Sequence, residues 1–270
     1  MLSMTRYYVK NKSLAPWIKF IWHFQAEATD IHYKLLPTDC IDVLLSLSGS
    51  IVYEIKNNDI FAPPFHINGL RSTHSYIRQT GNVCLFGISF YPFGLYPFVN
   101  RSLAGIHDRV VALQELSPTL VLNLKNAISN GTTTENVIAN IERALCLGLR
   151  VTKNYTHKAE LIRDFLELSG NVTVQSFCLE HDISTKTFQR NVLRYTGYMP
   201  KSLRSIKRFQ KAGNQLIHQN PSQLANVAYD NDFADQAHFI REFQKFSGKA
   251  PRTFQQEKIT VKENAEYTYC

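Results

Sequence analysis

The feature that most constrains this chain is a duplication in its C-terminal third. Phe188-x-Arg190-x3-Arg194-Tyr195-x-Gly197-x2-Pro200 recurs as Phe239-x-Arg241-x3-Lys245-Phe246-x-Gly248-x2-Pro251, with every matched position displaced by 51 residues. Ser184 and Asp235 keep the same displacement, and both are good helix N-caps. Agreement at this many positions identifies a structural unit of about 50 residues present twice.

Each copy reads as helix, turn, helix. In the first, Thr173 to Leu179 is a short helix, residues 180–183 turn, and Ser184 caps a second helix ending at Gly197. Phe188, Val192 and Tyr195 form its buried stripe at helical spacing, which leaves Lys186, Gln189 and Arg190 on another face. In the second copy Gln223 to Tyr229 is the supporting helix and Asp235 is the cap. Phe239, Phe243 and Phe246 face inward, leaving Gln236, His238 and Arg241 outside. Between the copies, Lys201 to Gln219 reads as one connecting helix with Leu203, Ile206, Phe209, Leu216 and Ile217 on its apolar side. At about 1.5 Å per residue it is about 28 Å long. A connector that sets two such helices about 34 Å apart lets both enter successive major-groove segments of one duplex.

Charge points the same way. The formal charge is +8, with 13 Lys/Arg against 10 Asp/Glu in residues 1–150 and 17 against 12 in the remainder. From Ser184 to Ala212 there are eight cations (Lys186, Arg190, Arg194, Lys201, Arg204, Lys207, Arg208, Lys211) and no acid. A solvated helix face ordinarily mixes signs, so this run is expected to face phosphate.

The first 110 residues read as strand. Residues 51–56 alternate and then meet the turn-forming Asn57-Asn58-Asp59, Cys84, Phe86, Ile88 and Phe90 share one face, and Ile41 to Leu47 is a nearly continuous apolar run. An antiparallel sheet or barrel follows. Ser117-Pro118 starts one closing helix, and Thr132-Thr133-Thr134-Glu135 offers a capping box for another. Residues 150–157 are polar and aperiodic, a linker pattern. With 44% hydrophobic and 19% charged residues, the chain has an ordinary globular composition. It carries no long apolar segment or signal-peptide pattern, so a cytoplasmic location without a membrane partner is expected. Five cysteines lie at least 32 residues apart, which suggests reduced thiols. Without a phosphate-cradling glycine loop, a nucleophile elbow or a Cys/His cluster, no catalytic residue, cofactor or metal ligand is assigned, and the chain does not read as an enzyme. Trp17, Phe20, Trp22, Phe24 and Tyr33 read as core in preference to a pocket lining.

Residues 158–257 resemble the DNA-binding domain of AraC/XylS-type transcription regulators. The resemblance rests on Asp232-Phe233-Ala234-Asp235-Gln236-Ala237-His238-Phe239-Ile240-Arg241-Glu242-Phe243-Gln244, followed by Gly248-Lys249-Ala250-Pro251. Asp232 replaces a turn glycine and Gln244 a lysine of that pattern; aspartate tolerates the left-handed turn better than most residues. Blocks at Trp17–His23, Leu36–Asp42 and Ile88–Gly94 are similar to the sensor region of one branch of the family, which implies a cupin-like barrel. The expected architecture is therefore α+β in two domains. Residues 1–150 are a mainly-β effector-sensing or oligomerisation domain with closing helices, 151–157 a linker, 158–257 an all-α tandem helix-turn-helix domain, and 258–270 a polar tail.

The implied function is bacterial, sequence-specific transcription regulation. Lys186, Gln189, Arg190, Gln236, His238 and Arg241 are expected at base edges, where Arg suits guanine and Gln suits adenine. Lys201, Arg204, Arg208 and Lys249 are expected on phosphates. Double-stranded DNA is the principal partner. A small-molecule effector in the first domain and RNA polymerase are further partners of such a regulator, and oligomeric state stays open because a duplicated reader grips two groove segments as a monomer. Two rival readings are a DNA repair or modification enzyme that borrows the reader, and a protein-interaction module whose reader has degenerated.

Overall fold

The computed structural model describes residues 3–170, 172–219 and 221–260. Its N-terminal part is an antiparallel sheet of β1 (Ser3–Tyr7), β2 (Ile18–Leu35), β3 (Ile41–Ile55), β4 (Asn58–Phe61), β5 (Phe65–Asn68), β6 (Ser75–Phe90) and β7 (Val110–Ala112). The strand order is β1-β2-β6-β3-β5-β7, and β4 pairs with the far half of β3. Period-two alternation gives the sheet two apolar faces. Ile41, Val43, Leu45, Phe86, Ile88 and Phe90 face the large core shared with the helices, as expected, whereas Cys84 is half-buried. Leu44 and Leu85 face the other way and join a second cluster with Ile51, Tyr53, Ile55 and Ile77.

A flat sheet would leave that second face wet. Register shifts between Ala26 and Thr29 in β2, and between Ser46 and Ser50 in β3, fall on opposite sides of the same part of β6. Such irregularities bend strands, and here they let the far halves of β2, β3 and β6 fold over the second cluster. The end strands β1 and β7 do not pair with each other, so the curl is an open sheet. Its interior holds polar chains. Trp22 Nε1–H donates to Ser89 Oγ (3.2 Å), whose hydroxyl donates to Asp42 (2.6 Å). His66 Nδ1–H donates to the Pro63 carbonyl (2.7 Å), which leaves Nε2 to accept from the Tyr53 hydroxyl (2.9 Å). Burial pushes the Asp42 carboxyl up to about 6 and the His66 imidazole down to about 4.

The helices follow their caps. After α1 (Tyr96–Val99) and α2 (Leu113–Leu116), Ser117 caps α3 (Pro118–Ser129) and Thr133 caps α4 (Thr134–Gly148). The expected linker at 151–157 is mostly helix: Thr152 caps α5 (Lys153–Glu167) by accepting the Tyr155 N–H. The polar reading of that stretch overlooked Tyr155, whose ring stacks on Trp17 (5.4 Å) and Tyr96 (4.9 Å) and meets Tyr195 edge-on (5.0 Å). Sheet and helical region are thus joined by a packed aromatic cluster. The chain continues through α6 (Val174–Glu180), α7 (Thr185–Thr196), α8 (Pro200–His218), α9 (Leu224–Asp230), α10 (Gln236–Ser247) and α11 (Pro251–Thr260). The last helix passes the expected boundary at 257, and residues 261–270 of the expected tail lie outside the described residues.

Two arginines one turn apart on α8 reach one into each unit. Arg204 donates to the carbonyls of Gly170 (2.7 Å) and Val172 and lies over Phe165 (5.3 Å). Arg208 donates to the Asp232 carbonyl (3.1 Å) and to Glu242 (3.1 Å), and lies over Phe233 (5.2 Å). The sheet domain holds the other ends. Leu103 N–H donates to the Arg194 carbonyl in the last turn of α7 (2.8 Å), and Lys34 Nζ to the Ser247 carbonyl at the end of α10 (3.1 Å). A cation there also complements the helix dipole.

Gly197 (φ +74) and Gly248 (φ +73) close α7 and α10 in the left-handed region, and each abuts the sheet domain. A Cβ on Gly197 would stand 2.5 Å from the Leu103 carbonyl oxygen, whereas one on Gly248 would meet the His74 ring at 2.4 Å. A side chain can rotate away and a hydrogen-bonded backbone cannot. Gly197→Ala is therefore expected to lower the unfolding midpoint more than Gly248→Ala, each losing at least the ~1 kcal/mol of a left-handed alanine. Equal losses in denaturant titrations would contradict the asymmetric contact.

Asp42 and His66 also set opposite pH dependences. With its pKa lowered from 6.5 to about 4, His66 withdraws stability as pH falls through that window. With its pKa raised from 3.8 to about 6, Asp42 adds stability as pH falls through nearly the same window. Asp42→Asn removes the compensating half, so the variant is expected to lose more stability than the parent between pH 7 and pH 4.5, measured by urea midpoints. Parallel curves would refute the assignment.

Candidate nucleic-acid interface

Local chemistry builds the two units alike. Thr173 and Ser176 form a reciprocal capping box at the start of α6, and the turn that follows places Asp182 at φ +49. Ser184 then accepts the Thr187 N–H to start α7. In the second unit Asp232 takes the same turn position at φ +58, as expected for the residue replacing glycine, and Asp235 accepts the His238 N–H (2.6 Å) to start α10. Phe188 packs against Phe165 (5.3 Å) and Phe177 (5.2 Å); Phe239 and Phe243 pack against Phe233 and Phe209.

The duplication has a further position that reading the sequence missed. Thr196 Oγ1 accepts the Tyr198 N–H (3.0 Å) and donates to the Val192 carbonyl (2.8 Å). Ser247, 51 residues on, accepts the Lys249 N–H (3.1 Å) and donates to the Phe243 carbonyl (2.8 Å). Both side chains belong to fully buried residues, and each locks the end of its helix onto the next turn. The signal was present as a hydroxyl at the same offset, but a Thr-to-Ser change hides it from a search for identity.

Among the expected base-reading residues, Lys186, Arg190, Gln236 and Arg241 are exposed and Gln189 is half-buried. None of the five side chains makes a hydrogen bond or ion pair with another described residue. They stand on the outer faces of α7 and α10, with Arg190 and Arg241 at matching positions. His238 differs: its ring accepts the Ala234 N–H (3.3 Å), meets Phe233 edge-on (5.7 Å) and lies 3.8 Å from Glu242. Its imidazole therefore supports the turn before α10.

The expected phosphate contacts divide likewise. Lys201 is exposed at the start of α8, whereas Lys249 is ion-paired with Glu257 (2.5 Å). Arg204 and Arg208 are turned inward as described, so the structure gives them internal partners in place of an open cationic surface. The acid-free run from Ser184 to Ala212 misled here because its counter-ions come from other segments. Glu167 pairs with Lys207, Glu242 with Arg208, and the Tyr96 hydroxyl accepts from Arg194 (3.2 Å). Lys186, Arg190, Lys201 and Lys211 remain exposed. No helix among the described residues is long and apolar enough to cross a membrane.

Residues 178–257 match the family model of a helix-turn-helix domain, and residues 8–112 match a domain of unknown function (DUF6597). No curated protein matches the chain in sequence. Among solved structures, the chain is similar to ToxT from Vibrio cholerae O395 at 10% identity and a TM-score of 0.46, covering 97% of this chain and 98% of that one. It is similar to ToxT from Vibrio cholerae strain SCE256, solved with an unsaturated fatty acid bound, at 13% identity and a TM-score of 0.46, covering 86% and 93%. A probable AraC family regulator from Rhodopseudomonas palustris CGA009 matches 37% of this chain and 92% of its own at 20% identity and a TM-score of 0.31. With α7 and α10 capped alike and the family match over residues 178–257, the C-terminal part of this chain is a helix-turn-helix domain.

Proposed function

We propose that this protein is a sequence-specific DNA-binding transcription regulator whose two units read successive major-groove segments of one site, under the control of the region before residue 150. The observation that carries this reading is the set of five side chains without a hydrogen bond or ion pair among the described residues, Lys186, Gln189, Arg190, Gln236 and Arg241, displayed on two helices built alike. Arginine and glutamine are the side chains best matched to guanine and adenine edges. Thr185 and Lys186 correspond to Gln236 and Ala237 in the second unit, so the two heads present different chemistry and would favour different base sequences.

Control by the first domain is supported by its contacts. Leu103 and Lys34 each hold the last turn of one reading helix, so a rearrangement of the first domain that moves both would reach both heads. Lys201 and Lys211 supply phosphate contacts that set position without reading sequence.

Selection of bound duplexes from a genomic library by the purified full chain tests this reading. Enrichment of a split site with two blocks about one helical turn apart, bound less tightly as salt rises, is the expected result. No enrichment over random DNA at any salt would refute it. Three substitutions separate the roles. Arg190→Ala is expected to cost about 1–3 kcal/mol on the selected site and to relax one base-pair preference, while Lys201→Ala weakens selected and random duplexes alike. Arg204→Ala is expected to lower the thermal midpoint while leaving the preferred sequence unchanged. A relaxed base preference in Arg204→Ala would return that residue to the DNA surface.

A further inference from the structure

The two reading helices begin with equivalent caps but differ at the third residue after the cap. In the first unit this residue is Thr187; in the second, 51 positions on, it is His238. The Thr187 hydroxyl accepts from Ser184 Oγ (2.8 Å) and does not titrate. His238 reaches back across its turn instead. Its Nδ1 accepts the Ala234 N–H (3.3 Å), and its Nε2 faces the Glu242 carboxylate (3.8 Å).

An imidazole nitrogen that accepts a hydrogen bond carries no proton, so the neutral ring holds its hydrogen on Nε2, toward Glu242. The place open to a second proton, drawn from solvent, is Nδ1. Once it is filled, two N–H groups face one another and the bond to Ala234 is lost. No other acceptor meets that amide among the described residues. Histidine is the side chain that ordinarily takes up such a proton between about pH 8 and about pH 5.

The charged groups on the elements that meet here already have partners. Glu242 accepts from Arg208 (3.1 Å) and from the Ser205 hydroxyl (3.2 Å), and Asp235 accepts the His238 N–H (2.6 Å). Arg208 also donates to the Asp232 carbonyl (3.1 Å), and Asp230 at the end of α9 accepts from Gln215 (2.8 Å). Arg241 stands on the outer face of α10. Ala234 precedes the cap Asp235, and Gln236 follows it as the first residue of α10, so the turn that His238 holds sets where the second head starts. The first unit has an imidazole in its own turn, His181, but that ring stacks on Phe177 (4.2 Å) and makes no hydrogen bond to another described residue. A proton there breaks no bond of the turn.

We propose that His238 is a positioning residue for the second reading head: neutral, it fixes the turn that starts α10, and protonated at Nδ1 it releases that turn. Acid therefore weakens base discrimination by one head and not by the other. This rests on the reading of the two units as DNA readers.

The test measures affinity of the full chain for the selected duplex and for duplexes with either block scrambled. The ratio of intact to scrambled affinity reports each head separately and removes the general tightening on polyanions that acid brings to a basic protein. The block whose preference Arg241→Ala relaxes belongs to the second head. Between about pH 8 and about pH 5.5, discrimination at that block is expected to fall about threefold or more, and discrimination at the other to stay constant. His238→Asn, whose Oδ1 takes the place of Nδ1 on Cγ and does not titrate, is expected to keep second-block discrimination at both pH values. His238→Leu, which has no acceptor, is expected to lack it at both. Equal losses at the two blocks overturn the proposal. So does a response that persists in His238→Asn, since that variant retains His74 against Gly248 at the far end of α10. In the free full chain, the Ala234 amide resonance is expected to shift with pH in the parent and not in His238→Asn. An amide that does not respond overturns the proposal whether or not DNA is bound, while a responsive amide in a chain that selects no duplex supports the turn's dependence on His238 and overturns the DNA reading.

Discussion

Two hydrogen bonds to helix ends hold this molecule in one arrangement. The Leu103 amide binds the Arg194 carbonyl and the Lys34 ammonium binds the Ser247 carbonyl, so both reading helices terminate on the same N-terminal domain, one on the segment after α1 and one on β2. Helix C-termini leave carbonyls without intrahelical partners, and a folded domain that supplies the donors fixes where those helices stop. The left-handed glycines at 197 and 248 let the chain turn away at once, which allows the sheet to approach.

From the opposite side the same geometry is set by α8. Arg204 and Arg208 are four residues apart, so they project from one face of the helix toward two different units. Each guanidinium satisfies carbonyls in an irregular segment and covers a phenylalanine ring, a combination that only a long planar cation provides. The Trp17, Tyr96, Tyr155 and Tyr195 cluster fills the junction between sheet and readers. The helical pair is thereby braced by its connector within and by the sheet at its ends.

Much of this was legible in the sequence where structure is local. The 51-residue displacement, the caps Ser184 and Asp235, the closing glycines and the stripes of Phe188 and Phe239 all reappear in place, because capping and amphipathic burial are decided within one or two turns. The strand faces of β3 and β6 were legible for the same reason. What escaped was long-range. The counter-ions of the cationic run come from Glu167 and Glu242, and the supposed linker is helical because Tyr155 finds partners in distant segments. His238 carries a side chain able to contact DNA, yet an amide and an aromatic ring of its own turn hold it. Composition lists what a surface could offer, and tertiary packing decides which groups are left to offer it.

Braced at both ends and by α8, the two reading helices are held at one fixed separation. Affinity of the full chain should be measured on the selected site with its two blocks moved apart by one to six base pairs. A rigid reader predicts a single optimum, with affinity falling by about tenfold or more two or three base pairs away as one head rotates off its groove. Affinity independent of spacing would mean that the heads move freely of one another, and would contradict the account.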